Sequence, residues 1–337
     1  MNTASTTTET HPASIPMSSG RLPEVDLHPF LFGDAAARQR VARAMAEACE
    51  TYGFFYLVHH GMASEVIAAG FDAAQRFFDL PLEQRLACRS TQPRQNRGYQ
   101  PMFDTALAGG KADVKESFDM GYPLQPDDAD LLAGMPFHSL NTWPDAGMIG
   151  FRPQVEALYF AMLACGHQVL RAMALALGAD PNFFVGHCVK PTTNMRLVHY
   201  PPQCISPEEG IGARPHTDKG LITLLLNDDN GGLQVMADEE RWIDAPPRAD
   251  AIIVNVGDLM TRWTNGRFRS ALHRVINTTG RQRFSIPQFH HPNFHAVVDP
   301  AHLAHDGAVN FEPVVAGEFV ASGFRRDRKS WAATAPA

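Results

Sequence analysis

From Pro191 onward, short β-type runs alternate with turn signals at fairly regular intervals, and that rhythm restricts the second half of the chain to an antiparallel β architecture. Residues 221–226 form an apolar run. Asn227-Asp228-Asp229-Asn230-Gly231-Gly232 turns it, and Leu233-Gln234-Val235-Met236 returns. Residues 251–256 form another apolar strand, stopped by Gly257-Asp258. Asn265-Gly266, a dipeptide favoured in tight hairpins, precedes a run through His273, Val275 and Ile276, and residues 283–289 alternate well enough for a strand.

The first half has a different period. Asp34 is placed to cap a helix in which Val41, Met45, Ala48 and Tyr52 recur at spacings of four and three, with Gly53 as its stop. Residues 54–58 suit a buried strand, and 64–79 an amphipathic helix closed by Leu80-Pro81. Residues 90–145 are rich in Gly, Pro and Asp and read as loops and short pieces, before a long helix over 151–177. The expected fold is mainly β with flanking helices, in one domain without internal repeats. Its parts are a disordered leader (1–20), an N-terminal helical and mixed region (21–135), the long helix and its connection (136–190), the β core (191–295) and a C-terminal extension (296–337).

Composition excludes several function classes. The chain of 337 residues is 45% hydrophobic, and 36 acidic against 29 basic side chains give a net charge of -7, which favours neither nucleic acid nor an anionic membrane surface. The basic run Arg325-Arg326-Asp327-Arg328-Lys329 lacks interleaved aromatics for base stacking and reads as a solvated tail. Five scattered cysteines without a CxxC pair indicate reduced thiols and a cytoplasmic setting. The most apolar stretch, 155–178, is interrupted by Glu156, His167, Gln168 and Arg171, so a buried helix is expected in place of a membrane span. Trp242 and Trp263 are expected in the core.

His216-Thr217-Asp218 places an imidazole and a carboxylate at i and i+2, on one face if the segment is a strand. His273, on a separate predicted strand, offers a third ligand. Two imidazoles and one carboxylate leave three positions of an octahedron open, the arrangement Fe(II) needs to bind a chelating co-substrate and O2 together. An HxD tripeptide alone says little in a chain with 15 histidines. Arg283-Phe284-Ser285 adds weight, because a guanidinium and a hydroxyl facing one way can hold a carboxylate by charge-assisted hydrogen bonds. Tyr200 offers a phenolic donor to the same anion.

Together these segments make the sequence resemble the isopenicillin N synthase-like branch of the iron(II)/2-oxoglutarate-dependent oxygenases. The resemblance rests on GFFYLVHHG (53–61), NRGY (96–99), RLVHYPP (196–202), GARPHTDKGLITLL (212–225), GGLQV (231–235), VNVGDLMTRWTNGRFRSALHRV (254–275) and RFSIPQFHHPN (283–293), in order over residues 22–295. It implies a double-stranded β-helix, or jelly roll, with iron held by His216, Asp218 and His273. It also implies that Arg283, Ser285 and Tyr200 bind 2-oxoglutarate, that O2 is the oxidant, and that a small molecule is hydroxylated, desaturated or cyclised with release of succinate and CO2. One departure is Val198, where plant members usually carry Asn.

The RxS pair does not by itself fix the co-substrate, since isopenicillin N synthase keeps such a pair for its peptide. An oxidase independent of 2-oxoglutarate, an ethylene-forming-type enzyme and a non-catalytic metal-binding barrel are the alternatives. Phe289 and His291 are candidate pocket residues, His199 is expected to be structural, and Arg97, Tyr99, Lys115, Glu116 and Phe118 lie where substrate contacts could arise. Oligomeric state is not legible, and a monomer is compatible with the sequence.

Overall fold

Apolar strands buried on both faces build the main sheet, and helices with one apolar stripe cover it. The computed structural model describes residues 21–89, 94–102, 113–144, 147–202, 211–237, 241–277, 279–304 and 307–327. The leader, Cys204 and the side chains of the basic run at 325–329 lie outside the described residues.

The first half contains β1 (Glu24–Asp26), α1 (His28–Phe32), α2 (Ala35–Thr51), β2 (Phe54–Val58), α3 (Ser64–Phe78), α4 (Leu82–Ala87), β3 (Gly98–Gln100), β4 (Glu116–Gly121), α5 (Ala129–Leu132), α6 (Phe151–Ala176) and α7 (Phe183–Gly186). The second contains β5 (Asn194–Tyr200), β6 (Ala213–His216), β7 (Ile222–Asn227), β8 (Leu233–Met236), β9 (Trp242–Asp244), β10 (Ala251–Val256), α8 (Asp258–Trp263), β11 (His273–Val275) and β12 (Arg283–His290). A small ribbon of β13 (Val297–Val298) and β14 (Val314–Val315) leads into α9 (Ala316–Asp327).

Eight strands form one sheet in the order β1-β2-β10-β7-β12-β5-β4-β3, and four form a second in the order β6-β11-β8-β9. This is the jelly roll with helical flanks. Residues 222, 224 and 226 of β7, with 252, 254 and 256 of β10, join one large apolar cluster with α2, α3 and α6. The alternate positions face the smaller sheet, where Phe54, Val198, Tyr200, Val235, Ile253 and Val275 share a second cluster. Period-two alternation therefore gives the main sheet a structural face and a face that can carry chemistry. Helix α6 is long and apolar enough to cross a membrane, and 61% of its most apolar window is buried within this fold.

Local chemistry explains the helix ends. Asp34 accepts a hydrogen bond from the Ala37 amide at 2.8 Å, the cap expected from the sequence, and Gly53 takes φ of 68° where the chain turns into β2. Within α6, a Cβ on Gly166 would lie 2.1 Å from His290 Cε1. Gly166→Ala is therefore expected to destabilise the fold by about 1–3 kcal/mol of overpacking, offset by up to about 1 kcal/mol of helix propensity. A thermal melt unchanged or raised relative to wild type would show that the His290 imidazole moves aside freely.

At the level of the fold, the structure corrects three expectations and sharpens a fourth. The turn at 227–232 does not close a hairpin: β7 pairs with β10 and β12, whereas β8 pairs with β9 and β11, so the turn carries the chain between sheets. Asn265 and Gly266 have φ of 52° and 88°, the pair suited to a tight turn, but they end α8 instead of joining strands. The short pieces expected within 90–145 include β4, a strand of the main sheet whose six residues are all buried. Trp242 lies half-buried outside the core, with the Arg274 guanidinium 4.1 Å from its ring centroid, while Trp263 is fully buried as expected.

Candidate active site

Register brings the candidate ligands together. His273 on β11 pairs directly with His216 at the end of β6, and their ring centroids are 4.2 Å apart. Asp218 lies two residues beyond the end of β6, so the turn after the strand, not strand alternation, swings its carboxylate between the rings. Asp218 Oδ1 is 3.9 Å from His216 Nε2 and 3.8 Å from His273 Nε2, and one ligand atom from each of the three residues lies within 4.8 Å of the others.

Each donor is aimed by a neighbour. His216 Nδ1 lies 2.6 Å from the Arg214 carbonyl, and His273 Nδ1 lies 3.2 Å from that of Ala271. A carbonyl only accepts, so both protons sit on Nδ1 and both Nε2 lone pairs face the centre. Asp218 Oδ2 accepts from Thr223 Oγ1 at 2.6 Å and from Asn255 Nδ2 at 2.8 Å, which leaves Oδ1 for the centre. Burial alone would raise the Asp218 pKa, but His273, His216 and these two hydrogen bonds outweigh it and hold the carboxyl below its usual range. Two imidazole nitrogens and one ionised carboxylate thus face one centre, a donor set suited to a divalent transition metal.

Asn255 and Thr223 were not among the candidates from sequence, although each is the polar interruption of an apolar strand. Asn255→Ala is expected to weaken metal affinity by roughly 10-fold, the lower end for a residue that orients a ligand. Fe(II) titration under anaerobic conditions checks this; wild-type affinity would mean that Thr223 alone fixes the carboxylate.

The same cavity extends along β5 and β12. Arg283 pairs in register with Tyr200, and Ser285 with Val198. Arg283 is 1% exposed, with its guanidinium 4.8 Å from the Tyr200 ring centroid. Its Nη2 donates to Asn227 Oδ1 at 2.5 Å, but Nε and Nη1 are buried with no hydrogen-bond partner among the described residues. A buried guanidinium with two idle donors is costly on its own and fits an anion lying beside it. Both Arg283 and Ser285 line the cavity that contains His216, Asp218 and His273. The residues present thus fit a bidentate 2-oxo acid spanning a metal and an arginine.

The remaining candidates divide by strand face. Lys115 and Phe289 line the cavity. His291 does not; it is buried with Nδ1 3.2 Å from the Thr192 carbonyl. Glu116 is on the helix-facing side, accepting from Tyr99 Oη at 2.5 Å, with His199 Nδ1 2.8 Å away and Arg85 paired to it. His199 stacks between Phe78 and Phe284, the structural role expected of it. Arg97 donates to the carbonyls of Asn96 and Phe137 and stays out of the cavity, as do Tyr99 and Phe118. Arg196 is a cavity residue that sequence reasoning missed; its signal was a lone cation in the strand Leu197-Val198-His199-Tyr200 continues.

A jelly roll carrying two histidines and a carboxylate at its open end, with a buried arginine nearby, defines the class of non-haem iron oxygenases. The model for the N-terminal region of the non-haem dioxygenase in morphine synthesis matches residues 22–146, and that of the 2OG-Fe(II) oxygenase superfamily matches residues 191–292. The 2-oxoglutarate-Fe(II) type oxidoreductase hxnY of Emericella nidulans is 38% identical, over 79% of this chain and 78% of that protein. Rice homoarginine-6-hydroxylase 2-ODD-233 is 34% identical, over 83% and 87%. The solved structure of full-length Neurospora crassa T7H with alpha-KG and thymine superposes with a TM-score of 0.81 at 29% identity, covering 95% of this chain and 99% of that one. The chain belongs to the isopenicillin N synthase-like branch of the 2-oxoglutarate/Fe(II) oxygenase superfamily. It is an oxidoreductase, a non-haem iron dioxygenase that uses Fe(II), 2-oxoglutarate and O2.

Proposed function

We propose that this dioxygenase hydroxylates a small molecule, with Fe(II) held by His216, Asp218 and His273 and 2-oxoglutarate held by Arg283, Ser285 and Tyr200. The observation that carries the reading is Arg283, buried at 1% exposure with two unpaired N–H groups in the same cavity as the triad. Bound Fe(II) supplies O2 activation coupled to decarboxylation of the 2-oxo acid, so that substrate, 2-oxoglutarate and O2 become hydroxylated substrate, succinate and CO2.

The protein's own work is placement. Thr223 and Asn255 aim Asp218, the carbonyls of Arg214 and Ala271 aim the imidazoles, and Arg283 with Ser285 orients the distal carboxylate of the co-substrate. Phe54, packed edge-on to His273 at 5.2 Å, helps exclude water from that side. Relatives differ in the small molecules tied to them, homoarginine in the rice hydroxylase's name and thymine bound in the T7H complex, which supports a small-molecule substrate without choosing one. A cytoplasmic location goes with this reading, supported by Cys49, Cys165 and Cys188, whose thiols are buried in the apolar core.

The test is O2-dependent release of succinate from labelled 2-oxoglutarate by the Fe(II)-loaded full chain. Slow succinate release is expected without substrate, and faster release with one. No succinate under any condition, with Fe(II) bound, would overturn the proposal.

A further inference from the structure

We infer that the molecule oxidised is a small carboxylic acid whose carboxylate is received by Arg196, with Lys115 as a second cation; the inference rests on the site reading above. Charge on the cavity wall is the first observation. Among the described lining residues the ionised side chains are Lys115, Arg196, Arg283 and Asp218. The two charges of Fe(II) balance those of 2-oxoglutarate, and Arg283 balances Asp218. Arg196 and Lys115 remain on the wall, each held from behind by an aspartate that does not itself line the cavity.

Geometry is the second observation. Arg196 projects from β5 on the face shared with Val198 and Tyr200, and its side chain is 12% exposed. Nε donates to Asp119 Oδ1 at 2.8 Å, while the two terminal nitrogens have no hydrogen-bond partner among the described residues. Asp119 is fully buried and also accepts from Asn194 Nδ2 at 2.7 Å and Ser117 Oγ at 3.2 Å. It acts as a fixed rear anchor, holding the inner edge of the guanidinium and leaving the Nη edge for a ligand. A forked pair of N–H donors matches a carboxylate. Lys115 is anchored the same way, its Nζ 3.0 Å from Asp113 Oδ2.

The wall beside Arg196 suits the carbon skeleton of such an acid. The guanidinium carbon lies 5.9 Å from the Phe289 ring centroid, and Val198 and Pro287 complete an apolar surface. A neutral carbonyl compound would satisfy one N–H but leave the second arm of the Arg196 fork without an acceptor.

Calorimetric titration of anaerobic, Fe(II)- and 2-oxoglutarate-loaded protein tests this, using a panel of small aromatic and aliphatic acids, their primary amides, and thymine. At least one acid is expected to bind roughly tenfold tighter than its amide, the scale of a charge-assisted hydrogen bond. In Arg196→Gln that preference is expected to collapse, and in Arg196→Lys to return in part. A panel in which no acid outbinds its amide, thymine outbinding every acid, or an acid preference that survives in Arg196→Gln would overturn the inference. If Arg196→Gln does not fold, because Asp119 is left buried without its partner, the wild-type comparison of acids with amides decides alone. Substrate-free succinate release by wild type reports separately on the iron and 2-oxoglutarate reading.

Discussion

Asp218→Ala is expected to retain no stoichiometric Fe(II) and to lose succinate release by at least about 10³-fold, because this carboxylate joins the two imidazoles into one site. Its Oδ1 stands 3.8–3.9 Å from both Nε2 atoms, and no other carboxylate among the described residues completes the cluster. Two imidazoles alone leave a divalent metal without an anionic ligand. The substitution also strands the donors of Thr223 and Asn255, at a cost of about 1–3 kcal/mol for each buried unsatisfied group. Removing a buried carboxylate relieves its desolvation, which acts in the opposite direction. His216→Ala separates the effects, since that ring is 43% exposed and its loss strands little. Both variants are expected to fail in anaerobic Fe(II) titration while His216→Ala melts near wild type. Retention of tight Fe(II) binding in either would refute the ligand assignment.

Much of this architecture is legible in the sequence because its strands are buried on predictable faces. Residues 54–58 and 251–256 are continuous apolar runs, and they lie where expected as β2 and β10, paired antiparallel in the main sheet. The arginine and serine of RFS face one way because β12 is a regular strand with Ser285 opposite Val198. What failed to show has physical causes. The strand β4 reads Glu-Ser-Phe-Asp-Met-Gly, and its polar residues are buried by partners far away in sequence: Glu116 by Tyr99 and His199, Asp119 by Asn194 and Arg196. A local pattern cannot reveal burial that depends on such partners. For the same reason β8 seemed to return along β7: the turn is written in the sequence, but which sheet receives the next strand depends on packing across the core.

Position on a strand face also separates residues that the sequence left undivided. Lys115 and Glu116 are neighbours in the chain, yet one faces the cavity and the other the helices. Asp218 illustrates the converse. Its i, i+2 relation to His216 suggested one strand face, whereas the carboxylate arrives from a turn beyond β6 and is held there by Thr223 and Asn255. The same spacing was compatible with either backbone, so the pairing was legible while its structural origin was not.

Arg283→Gln is expected to raise the KM for 2-oxoglutarate about 10²-fold while kcat at saturating co-substrate stays within a few-fold, since two charge-assisted hydrogen bonds at about 1.5–3 kcal/mol each are lost in part. The guanidinium is nearly fully buried, one N–H group is committed to Asn227, and Nε and Nη1 have no protein partner among the described residues. Stability should therefore respond in an unusual direction. Replacing this arginine removes two unsatisfied buried donors, which offsets the loss of the Nη2 hydrogen bond to Asn227, beyond the reach of the shorter glutamine, so the melting temperature of the co-substrate-free protein is expected to hold or rise. Arg283→Lys should recover only part of the affinity, because an ammonium offers one point of charge where the planar fork offers two parallel donors. Fe(II) affinity should be unchanged in both variants, which confines the effect to the co-substrate. Steady-state kinetics in 2-oxoglutarate, run beside thermal melts, separates these outcomes. An unchanged KM in Arg283→Gln would assign the anion to other cations of the cavity, with Arg196 and Lys115 the next to be tested.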